Sequence, residues 1–354
     1  MKWIYDLTYE QLKEEITAAG IKKFTVDQVF QWLYQKNVQD IFAWTNISKT
    51  NQHILARKFD TSLNKIITKI EDQQGTKKIL FELPDQYRIE SVLIKEKDHY
   101  TFCISTQVGC ALNCRFCATG RMGFKRNLTP GEILSQVLSL EKEIPGYTGK
   151  LNIVLMGMGE PLLNYENLKQ ALEIITSEKA IGISPRNITL STSGILEHLR
   201  RFEIDFPRMK ISFSLNAPDA LIREALMPIS RKEQLSEILH YFRATASSRK
   251  HRVTFEYVLI RGINDSPDQA RLTADLLRGI PCKINLIPYN VNKDLPVDFE
   301  TPTPEEVELF SDYLHSRGFT VITRWSKGKE IKSACGQLAA NAEEEDDDDD
   351  DENE

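Results

Sequence analysis

From about residue 100 onward, short strand-like runs alternate with amphipathic helical segments. The candidate strands are 101–105, 151–157, 187–192, 209–216, 252–259 and 282–287. The helical segments between many of them include 130–143, 164–178, 232–248 and 266–278. Parallel strands need a long crossover, usually a helix, so this alternation is typical of parallel βα units. Six such units predict an α/β fold with a barrel or partial barrel.

Three of these strands carry polar residues on one side only. Buried parallel strands are usually apolar on both faces, whereas 101–105, 187–191 and 210–216 alternate apolar and polar residues. If the apolar sides pack under outer helices, the polar sides face the barrel interior. The side chains so placed are Cys103, Ser191, Ser214 and Asn216. A lumen lined by small polar groups favours ligand binding, and the alternative is an open sheet with a solvated face.

The segments before residue 100 predict two smaller units. Thr8 and Thr25 are each followed three residues later by glutamine, which is capping-box spacing. An apolar stripe at helical spacing predicts a small helical core: Val26, Val29, Phe30 and Leu33. Between 66 and 94, extended runs broken by turns at 72–75 and 84–85 predict a β-layer. The expected divisions are a helical domain 1–65, a β-layer linker 66–98, a barrel with its C-terminal extension 99–342 and a tail 343–354.

The end of the chain is strongly acidic. Residues 343–354 carry 11 acidic side chains, and removing them from a net charge of −6 leaves a body of +5. An acidic run without apolar residues is expected to be disordered, and a mildly basic body is compatible with a polyanionic partner. The chain shows no signal peptide or membrane-spanning apolar run, which predicts a cytoplasmic protein with no membrane association.

The three cysteines Cys110, Cys114 and Cys117 are spaced Cys-x3-Cys-x2-Cys directly after the first barrel strand. Six cysteines in 354 residues are too few and too clustered for a disulfide framework. Three thiolates in a short loop can hold three irons of a cubane cluster and leave the fourth iron open. The alternative is a zinc site with Cys103 or Cys282 as the fourth ligand, although both lie in predicted strands.

With its flanking residues, this loop resembles the RlmN/Cfr family of radical S-adenosylmethionine RNA methyltransferases, and its Cys117–Gly120 run is most similar to the adenine C2-methylating branch. The resemblance covers nearly the whole chain and departs clearly at the acidic tail. Its motifs are Arg88–Val92, Gln107–Cys110, Cys117–Gly120, Arg126–Leu128, Met156–Pro161, Pro281–Asn290 and Ala334–Leu338.

The resemblance implies two cofactors. One 4Fe-4S cluster per chain would be held by Cys110, Cys114 and Cys117, and its open iron would bind S-adenosylmethionine, of which two molecules are used per turnover. The glycines of the Gly157–Pro161 turn would let the backbone approach the cofactor closely. The positions that match cofactor contacts in the family are Gly159, Glu160, Ser191, Ser214, Leu215, Asn216 and Asn290.

The resemblance also implies a two-cysteine mechanism. Cys335 would be methylated by one cofactor molecule, and a radical from the second would take a hydrogen from that methyl group. The resulting carbon radical would add to C2 of adenine. Cys103 would then attack the Cys335 sulfur to form a disulfide and release the base, while Glu90 matches the carboxylate that removes the C2 proton. Cys282 matches no such role and is interpreted as structural.

The implied substrates are an adenosine in 23S rRNA, at the peptidyl-transferase centre, and the adenosine 3′ to the anticodon in a subset of tRNAs. An electron donor such as flavodoxin or ferredoxin and a monomeric state are also expected. Two alternatives stay open, a C8-directed Cfr-type methyltransferase and a zinc-stabilised RNA-binding module. The candidate phosphate-binding residues are Arg121, Lys125, Arg126, Arg249–Arg252, Arg324, Lys327, Lys329 and Lys332.

Overall fold

The computed structural model describes residues 1–292, 295, 297–325, 331 and 336–338. The predictions made for Cys335, Lys327, Lys329, Lys332 and the acidic tail 343–354 lie outside the described residues. Within the part of the chain that is described, no helix is both long and apolar enough to cross a membrane.

Strands and helices alternate through most of the described chain. In chain order the strands are β1 (Lys2–Trp3), β2 (Phe59–Asp60), β3 (Lys65–Glu71), β4 (Lys77–Glu82), β5 (Arg88–Lys95), β6 (His99–Cys103), β7 (Gln107–Val108), β8 (Arg126–Asn127), β9 (Lys150–Leu155), β10 (Ile188–Thr192), β11 (Lys210–Ser214), β12 (Val253–Leu259), β13 (Cys282–Pro288) and β14 (Thr320–Thr323). The α-helices are α1 (Tyr9–Ala18), α2 (Thr25–Phe30), α3 (Lys49–Lys58), α4 (Ala118–Arg121), α5 (Pro130–Lys142), α6 (Tyr165–Thr176), α7 (Leu196–Asp205), α8 (Ala220–Leu226), α9 (Leu235–Ala244), α10 (Pro267–Leu277) and α11 (Pro304–Ser316). Short 3-10 helices span Ile4–Asp6, Ile41–Ala43, Pro161–Asn164, Pro185–Asn187 and Pro228–Arg231, and a π-helical turn spans Gln31–Gln35.

One ten-stranded sheet organises the molecule, with the order β14-β13-β12-β11-β10-β9-β6-β5-β4-β3. In this sheet, β6 and the strands β9 to β14 run parallel to one another. The strands β3, β4 and β5 extend the sheet in antiparallel register. In the described part of the chain the edge strands β3 and β14 do not pair with each other, so the sheet is a partial barrel. The predicted α/β fold is confirmed.

All six predicted barrel strands are present, and the structure adds a seventh parallel strand, β14, that the sequence pattern did not indicate. The predicted β-layer between 66 and 94 consists of β3, β4 and β5. It is continuous with the barrel, because Val92 of β5 lies opposite Cys103 of β6.

The polar sides of the barrel strands are buried. Ser212, Glu256 and Asn285 lie on three neighbouring strands and are only 1%, 7% and 3% exposed. A solvated sheet face would leave such side chains in water, so that alternative is wrong. The interior of the partial barrel is a polar space enclosed by protein.

The N-terminal helices largely follow the sequence pattern. Thr8 forms a complete capping box with Gln11 at the start of α1. The second predicted capping box is wrong, because α2 has Phe24 at its N-cap and Thr25 is buried in its first turn. The stripe of Val26, Val29, Phe30 and Leu33 is buried as predicted.

Polar contacts fix the N-terminal helical region to the outer helix α5. Thr129 and Glu132 form a capping box at the start of this helix. The carboxylate of Asp6 accepts a hydrogen bond from the Gly131 backbone N–H at 2.9 Å. Farther along α5, the Ser135 hydroxyl accepts from the Asn64 backbone at 2.7 Å.

Candidate active site

The cysteine loop lies between the short paired strands β7 and β8, which join its two ends. Gly109 begins the loop at φ +70°, a left-handed conformation that glycine adopts without a steric penalty. A Cβ atom at this position would overlap the carbonyl of Gly123 on the returning chain. The loop therefore needs glycine where its two limbs cross.

Cys110, Cys114 and Cys117 are partly buried and line one side of a single cavity. Burial raises the pKa of Cys110 to about 12, and it also raises the pKa of the other two thiols. Negative charge on Cys117 or Cys110 would raise the pKa of Cys114 further, which shows that the three sulfur atoms are electrostatically coupled. Thiols in such a place remain protonated until a metal centre displaces their protons.

The cavity also bears on the zinc alternative. A zinc site needs a fourth ligand beside the three thiolates, whereas three thiolates can hold three irons of a cubane cluster and leave the fourth iron open. Cys103 and Cys282, the two described cysteines considered as a fourth zinc ligand, are not among the residues that line the cavity with the three thiols. The lining therefore agrees with the three-thiol set expected for a cluster.

The opposite side of the cavity is formed by the carboxyl ends of the parallel strands. The predicted residues that line it are Gly159, Glu160, Ser191, Ser214, Asn216 and Asn290. Leu215 differs from them, because its side chain is fully buried in the hydrophobic core. The alternation argument that placed Ser191, Ser214 and Asn216 in the lumen is therefore confirmed, while the assignment of any of these residues to cofactor contacts stays a prediction.

The loop after β9 approaches the strand β7 very closely. Gly159 has φ +99°, and a Cβ atom there would lie 2.5 Å from the Cβ of Gln107. The Gln107 side chain accepts a hydrogen bond from the Glu160 backbone N–H at 2.8 Å. A larger residue at position 159 would push this loop away from the cavity.

Glu160 is a buried carboxyl group that connects two of the strand ends. Its Oε2 atom accepts from the Ser193 backbone N–H at 2.8 Å, and Oε1 accepts from Leu162 N–H at 3.2 Å. Burial raises the pKa of Glu160, and the backbone donors act in the opposite direction. The carboxyl is therefore held in a fixed orientation beside the cysteine loop.

Two further polar residues shape the cavity wall. Asn216 adopts φ +58°, and its Oδ1 accepts from the Val258 backbone N–H at 2.9 Å. Its Nδ2 atom lies 3.1 Å from the sulfur of Met227, which also lines the cavity. These contacts fix the Asn216 side chain between the ends of β11 and β12.

Glu256 lines the same cavity and was not predicted from the sequence. Its carboxyl accepts hydrogen bonds from the Ser212 hydroxyl and, at 2.8 Å, from the Asn285 amide. Burial raises the pKa of Glu256, so the neutral form is favoured inside the protein. The signal that could have found it is a carboxylate within an otherwise apolar strand, Val253–Leu259.

Glu90 and Cys103 lie on the same face of neighbouring strands. Cys103 is opposite Val92 of β5, two residues from Glu90, and opposite Val154 of β9. Val154 in turn lies opposite a residue of β10 two positions before Ser191, which lines the cavity, so this shared face is the inner one. Neither Glu90 nor Cys103 is among the residues that line the cavity itself. Both Glu90 and Cys103 are buried, at 2% and 7% exposure.

Glu90 has a buried cationic partner, which the sequence analysis did not identify. The ammonium group of Lys78 on β4 lies 3.3 Å from Oε1 of Glu90, and both side chains are less than a tenth exposed. Removing either partner of such a buried pair would leave the other buried and uncompensated. Gly336, the residue after Cys335 in the chain, lines the cavity, and its carbonyl accepts from the Ala118 N–H at 2.7 Å.

Several candidate RNA contacts are engaged within the protein. Arg126 forms a bidentate pair with Glu132 and a contact of 2.5 Å with Asp85. The side chain of Arg249 is only 8% exposed and pairs with Glu203. The internal pairing of these two arginines disfavours their assignment to phosphate binding, because their charges are already compensated. Arg121 and Lys125 are exposed beside the cysteine loop.

Cys282 lies away from this site. It begins β13, whereas the residues of that strand that line the cavity are at its other end. Cys282 is 6% exposed, and burial raises its pKa to about 12. Both observations agree with its interpretation as a structural residue.

Comparisons with known proteins identify two family regions in the chain. Residues 104–272 match the model of the radical SAM superfamily. Residues 2–60 match the ribosomal RNA large subunit methyltransferase N-terminal domain. The two regions correspond to most of the barrel and to the N-terminal helical domain.

Full-length relatives and one solved structure extend this similarity. The chain is 42% identical over 339 residues to a dual-specificity RNA methyltransferase RlmN from Syntrophus aciditrophicus, with 96% of this chain and 97% of that protein covered. It is 41% identical to a probable dual-specificity RNA methyltransferase RlmN from Thermotoga maritima, with the same coverage. The crystal structure of a radical SAM methyltransferase from Sphaerobacter thermophilus superimposes with a TM-score of 0.90 at 38% identity, over 96% of this chain and 100% of that one.

Proposed function

This chain belongs to the RlmN family of radical S-adenosylmethionine RNA methyltransferases, and from that premise we propose that it methylates C2 of adenosine in two kinds of RNA. The substrates are an adenosine of 23S rRNA at the peptidyl-transferase centre and the adenosine 3′ to the anticodon in a subset of tRNAs. The observation that carries the proposal is the single cavity in which Cys110, Cys114 and Cys117 face the carboxyl ends of the parallel strands.

The three cysteines would hold a 4Fe-4S cluster at one side of this cavity. Glu160, Ser191 and Asn216 on the facing side supply polar groups for the amino, carboxylate and ribose groups of S-adenosylmethionine. When bound, the two cofactors supply the methyl group and the one-electron chemistry that an electron-poor carbon requires. The chain's own residues bind the base, move its proton and release the product.

Two cysteines and one carboxylate carry out these steps in the proposal. Cys335 carries the methyl group as a thioether and becomes joined through it to C2 of adenine. Glu90 takes the C2 proton, and Cys103 attacks the Cys335 sulfur, which forms a disulfide and frees the methylated base. The common inner face of Glu90 and Cys103 and the position of Gly336 at the cavity support this assignment.

The Lys78–Glu90 pair gives Glu90 a defined place in this proposal. The Lys78 ammonium lies 3.3 Å from Oε1 of Glu90, and both side chains are buried. In the proposal this contact holds the Glu90 carboxyl in position, and Lys78 itself does not contact the substrate.

Electron supply and location complete the proposal. A small electron-transfer protein such as flavodoxin or ferredoxin would reduce the cluster, and a monomeric enzyme in the cytoplasm would meet ribosomal and transfer RNA there. The exposed Arg121 and Lys125 beside the cysteine loop are the described residues best placed to contact phosphate groups near the cavity.

The test is product identification. Anaerobically reconstituted protein is incubated with S-adenosylmethionine, a reductant and either a 23S rRNA fragment or tRNA, and the RNA is digested to nucleosides. Mass spectrometry against standards should show C2-methyladenosine from both RNAs. C8-methyladenosine instead would favour the Cfr-type alternative, and a protein that contains zinc without sulfide would contradict the enzymatic assignment.

A further inference from the structure

Arg223 is a buried cation directly behind the cysteine loop. It is 0% exposed and belongs to the short helix α8. The end of this helix packs on the cysteine loop. The Arg115 N–H donates to the Leu226 carbonyl at 2.9 Å, and Cys114 packs against the group of buried apolar side chains to which Leu226 belongs. The Arg223 guanidinium itself donates to the carbonyls of Ser193 and Ser214, which line the cavity that holds the three cysteines.

All hydrogen-bond partners of the Arg223 guanidinium are neutral groups. The guanidinium also lies over the aromatic ring of Phe213, 5.4 Å from the ring centroid. In the described part of the chain no carboxylate forms an ion pair with it. The acceptors are the carbonyls of Leu215 at 3.0 Å, Ser214 at 3.1 Å and Ser193 at 3.3 Å, together with the Ser230 hydroxyl.

A buried charge without a counter-ion is costly, so the protein is expected to supply an anion nearby. Burial lowers the pKa of Arg223 to about 10, which still leaves the guanidinium charged at neutral pH. The guanidinium donates to the carbonyls of Ser193 and Ser214, and both residues line the same cavity as Cys114. An anionic cluster held in that cavity would supply the compensating charge.

A cluster held by three thiolates is anionic, and its reduced form carries one more negative charge than its oxidised form. The net charge and the groups around an iron–sulfur cluster set its reduction potential. A fixed cation behind Cys114 stabilises the more negative, reduced form more than the oxidised form. Its removal would consequently make the cluster harder to reduce.

We propose that Arg223 is the fixed counter-cation of the iron–sulfur cluster and raises its reduction potential. This inference rests on the proposed assignment of Cys110, Cys114 and Cys117 as cluster ligands. Arg223 acts through its charge and contacts neither the RNA nor the reacting atoms. It is a positioning and tuning residue whose carbonyl contacts also fix the chain after β10 and β11.

The charge and the carbonyl contacts can be separated by substitution. Arg223→Lys keeps the positive charge but cannot reach all four acceptors, whereas Arg223→Met removes the charge and Arg223→Gln removes the charge but keeps amide donors. Arg249→Met is the matched control. Arg249 is also buried and lies 4.7 Å from the Phe242 ring centroid, but it pairs with Glu203 near the amino-terminal ends of the strands.

The experiment measures iron and sulfide per chain and then titrates the cluster potentiometrically with detection by electron paramagnetic resonance. We expect Arg223→Met and Arg223→Gln to shift the midpoint to a lower potential at unchanged cluster content. Arg223→Lys and Arg249→Met should stay at the wild-type value. An unshifted midpoint in the neutral variants, or an equal shift in Arg223→Lys, would overturn the proposal.

Two further outcomes are interpretable. If neither neutral variant holds a cluster while Arg223→Lys does, the cluster requires the charge at this position, which supports the counter-cation role; loss of the cluster in Arg223→Lys as well would contradict it. A wild-type protein that binds no cluster would refute the cluster assignment itself. A cluster that binds normally, but whose midpoint potential does not change with the charge at position 223, would refute only this inference.

Discussion

Among single side chains, Glu256 combines deep burial with neutral hydrogen-bond partners, the Ser212 hydroxyl and the Asn285 amide. Burial raises its pKa above the usual 4.5. As the pH rises, the carboxyl therefore loses its proton at a lower pH in the unfolded chain than in the folded protein. The associated stability is complete at pH values below about 4.5 and is lost as the pH rises through the folded-state pKa.

We therefore expect Glu256→Gln to remove this part of the pH dependence, because glutamine fills the same space without an ionisable group. Thermal unfolding of both proteins over a series of pH values measures the effect. The variant should gain stability relative to the wild type as the pH rises above the ordinary range of glutamate. Parallel stability curves at all pH values would show that Glu256 is not protonated in the fold.

The role proposed for Cys103 predicts a trapped intermediate. If Cys335 remains bonded to the methyl-derived carbon while that carbon joins adenine, the RNA is tethered to the protein until Cys103 cuts the link. Cys103→Ala should then accumulate a covalent protein–RNA adduct, seen as a nuclease-sensitive band in denaturing electrophoresis with labelled RNA. Cys282→Ala serves as the control and should turn over normally, since that buried cysteine lies away from the cavity.

Two outcomes would contradict the two-cysteine mechanism. Cys103→Ala could turn over at the wild-type rate, or it could be inactive with Cys335 unmethylated. The adduct should also vanish in the Cys103→Ala, Cys335→Ala double variant, because the methyl carrier is then missing. The iron–sulfur assignment would survive any of these results.

Among the secondary-structure elements, the cysteine loop depends on a glycine that the thiol spacing alone does not reveal. Gly109→Ala combines a left-handed backbone with overlap of the new Cβ and the Gly123 carbonyl. Gly146 has a similar φ of +74° but nothing within 4 Å of a Cβ. We expect Gly146→Ala to lose about 1–2 kcal/mol of unfolding free energy from backbone strain.

For Gly109→Ala we expect that loss plus about 1–3 kcal/mol from the steric overlap. Chemical denaturation measures the free energies, and iron and sulfide analysis after reconstitution should show reduced cluster content in Gly109→Ala only. Equal losses of unfolding free energy in the two variants would mean that the loop accommodates a Cβ atom at position 109 without steric overlap.

The elements that the sequence predicted are those with a clear repeating pattern. The barrel strands and the helices near 130–143 and 266–278 followed from alternation and amphipathic spacing, and the lumen position of Ser191 followed from the polar side of its strand. The strand β14 was missed because four residues are too few to establish alternation. The predicted capping box at Thr25 was wrong, because Thr25 is buried by tertiary packing and does not cap the helix.

The parts of the site that were missed depend on contacts between distant segments. The Lys78–Glu90 pair forms across two antiparallel strands, and their register is not readable from either strand alone. Arg223 approaches the cysteine loop only because α8 packs on it. Sequence spacing identified the thiols, but only the folded sheet shows which charges surround them.

In the whole molecule, the polar contacts of Asp6 and Asn64 join the N-terminal region to α5 on the outside of the barrel. Arg126, at the end of the cysteine loop, pairs with Glu132 of this same helix. The helical region that matches the ribosomal RNA methyltransferase N-terminal domain is therefore attached to a helix that also contacts the end of the cysteine loop.

The charge distribution of the whole chain leads to a prediction about the acidic tail. Its 11 negative charges oppose a body of +5, so we expect the tail to compete with RNA phosphate for the same basic groups. Deletion of 343–354 should tighten RNA binding at low ionic strength, and the difference should shrink at about 0.15 M salt, where charges farther apart than about 8 Å are largely screened. Fluorescence anisotropy over a salt series measures this, with a neutral tail of equal length as the control for excluded volume. Because the catalytic groups proposed here all precede residue 343, cofactor cleavage should be unchanged, and its loss in the truncated protein would show that the tail belongs to the catalytic fold.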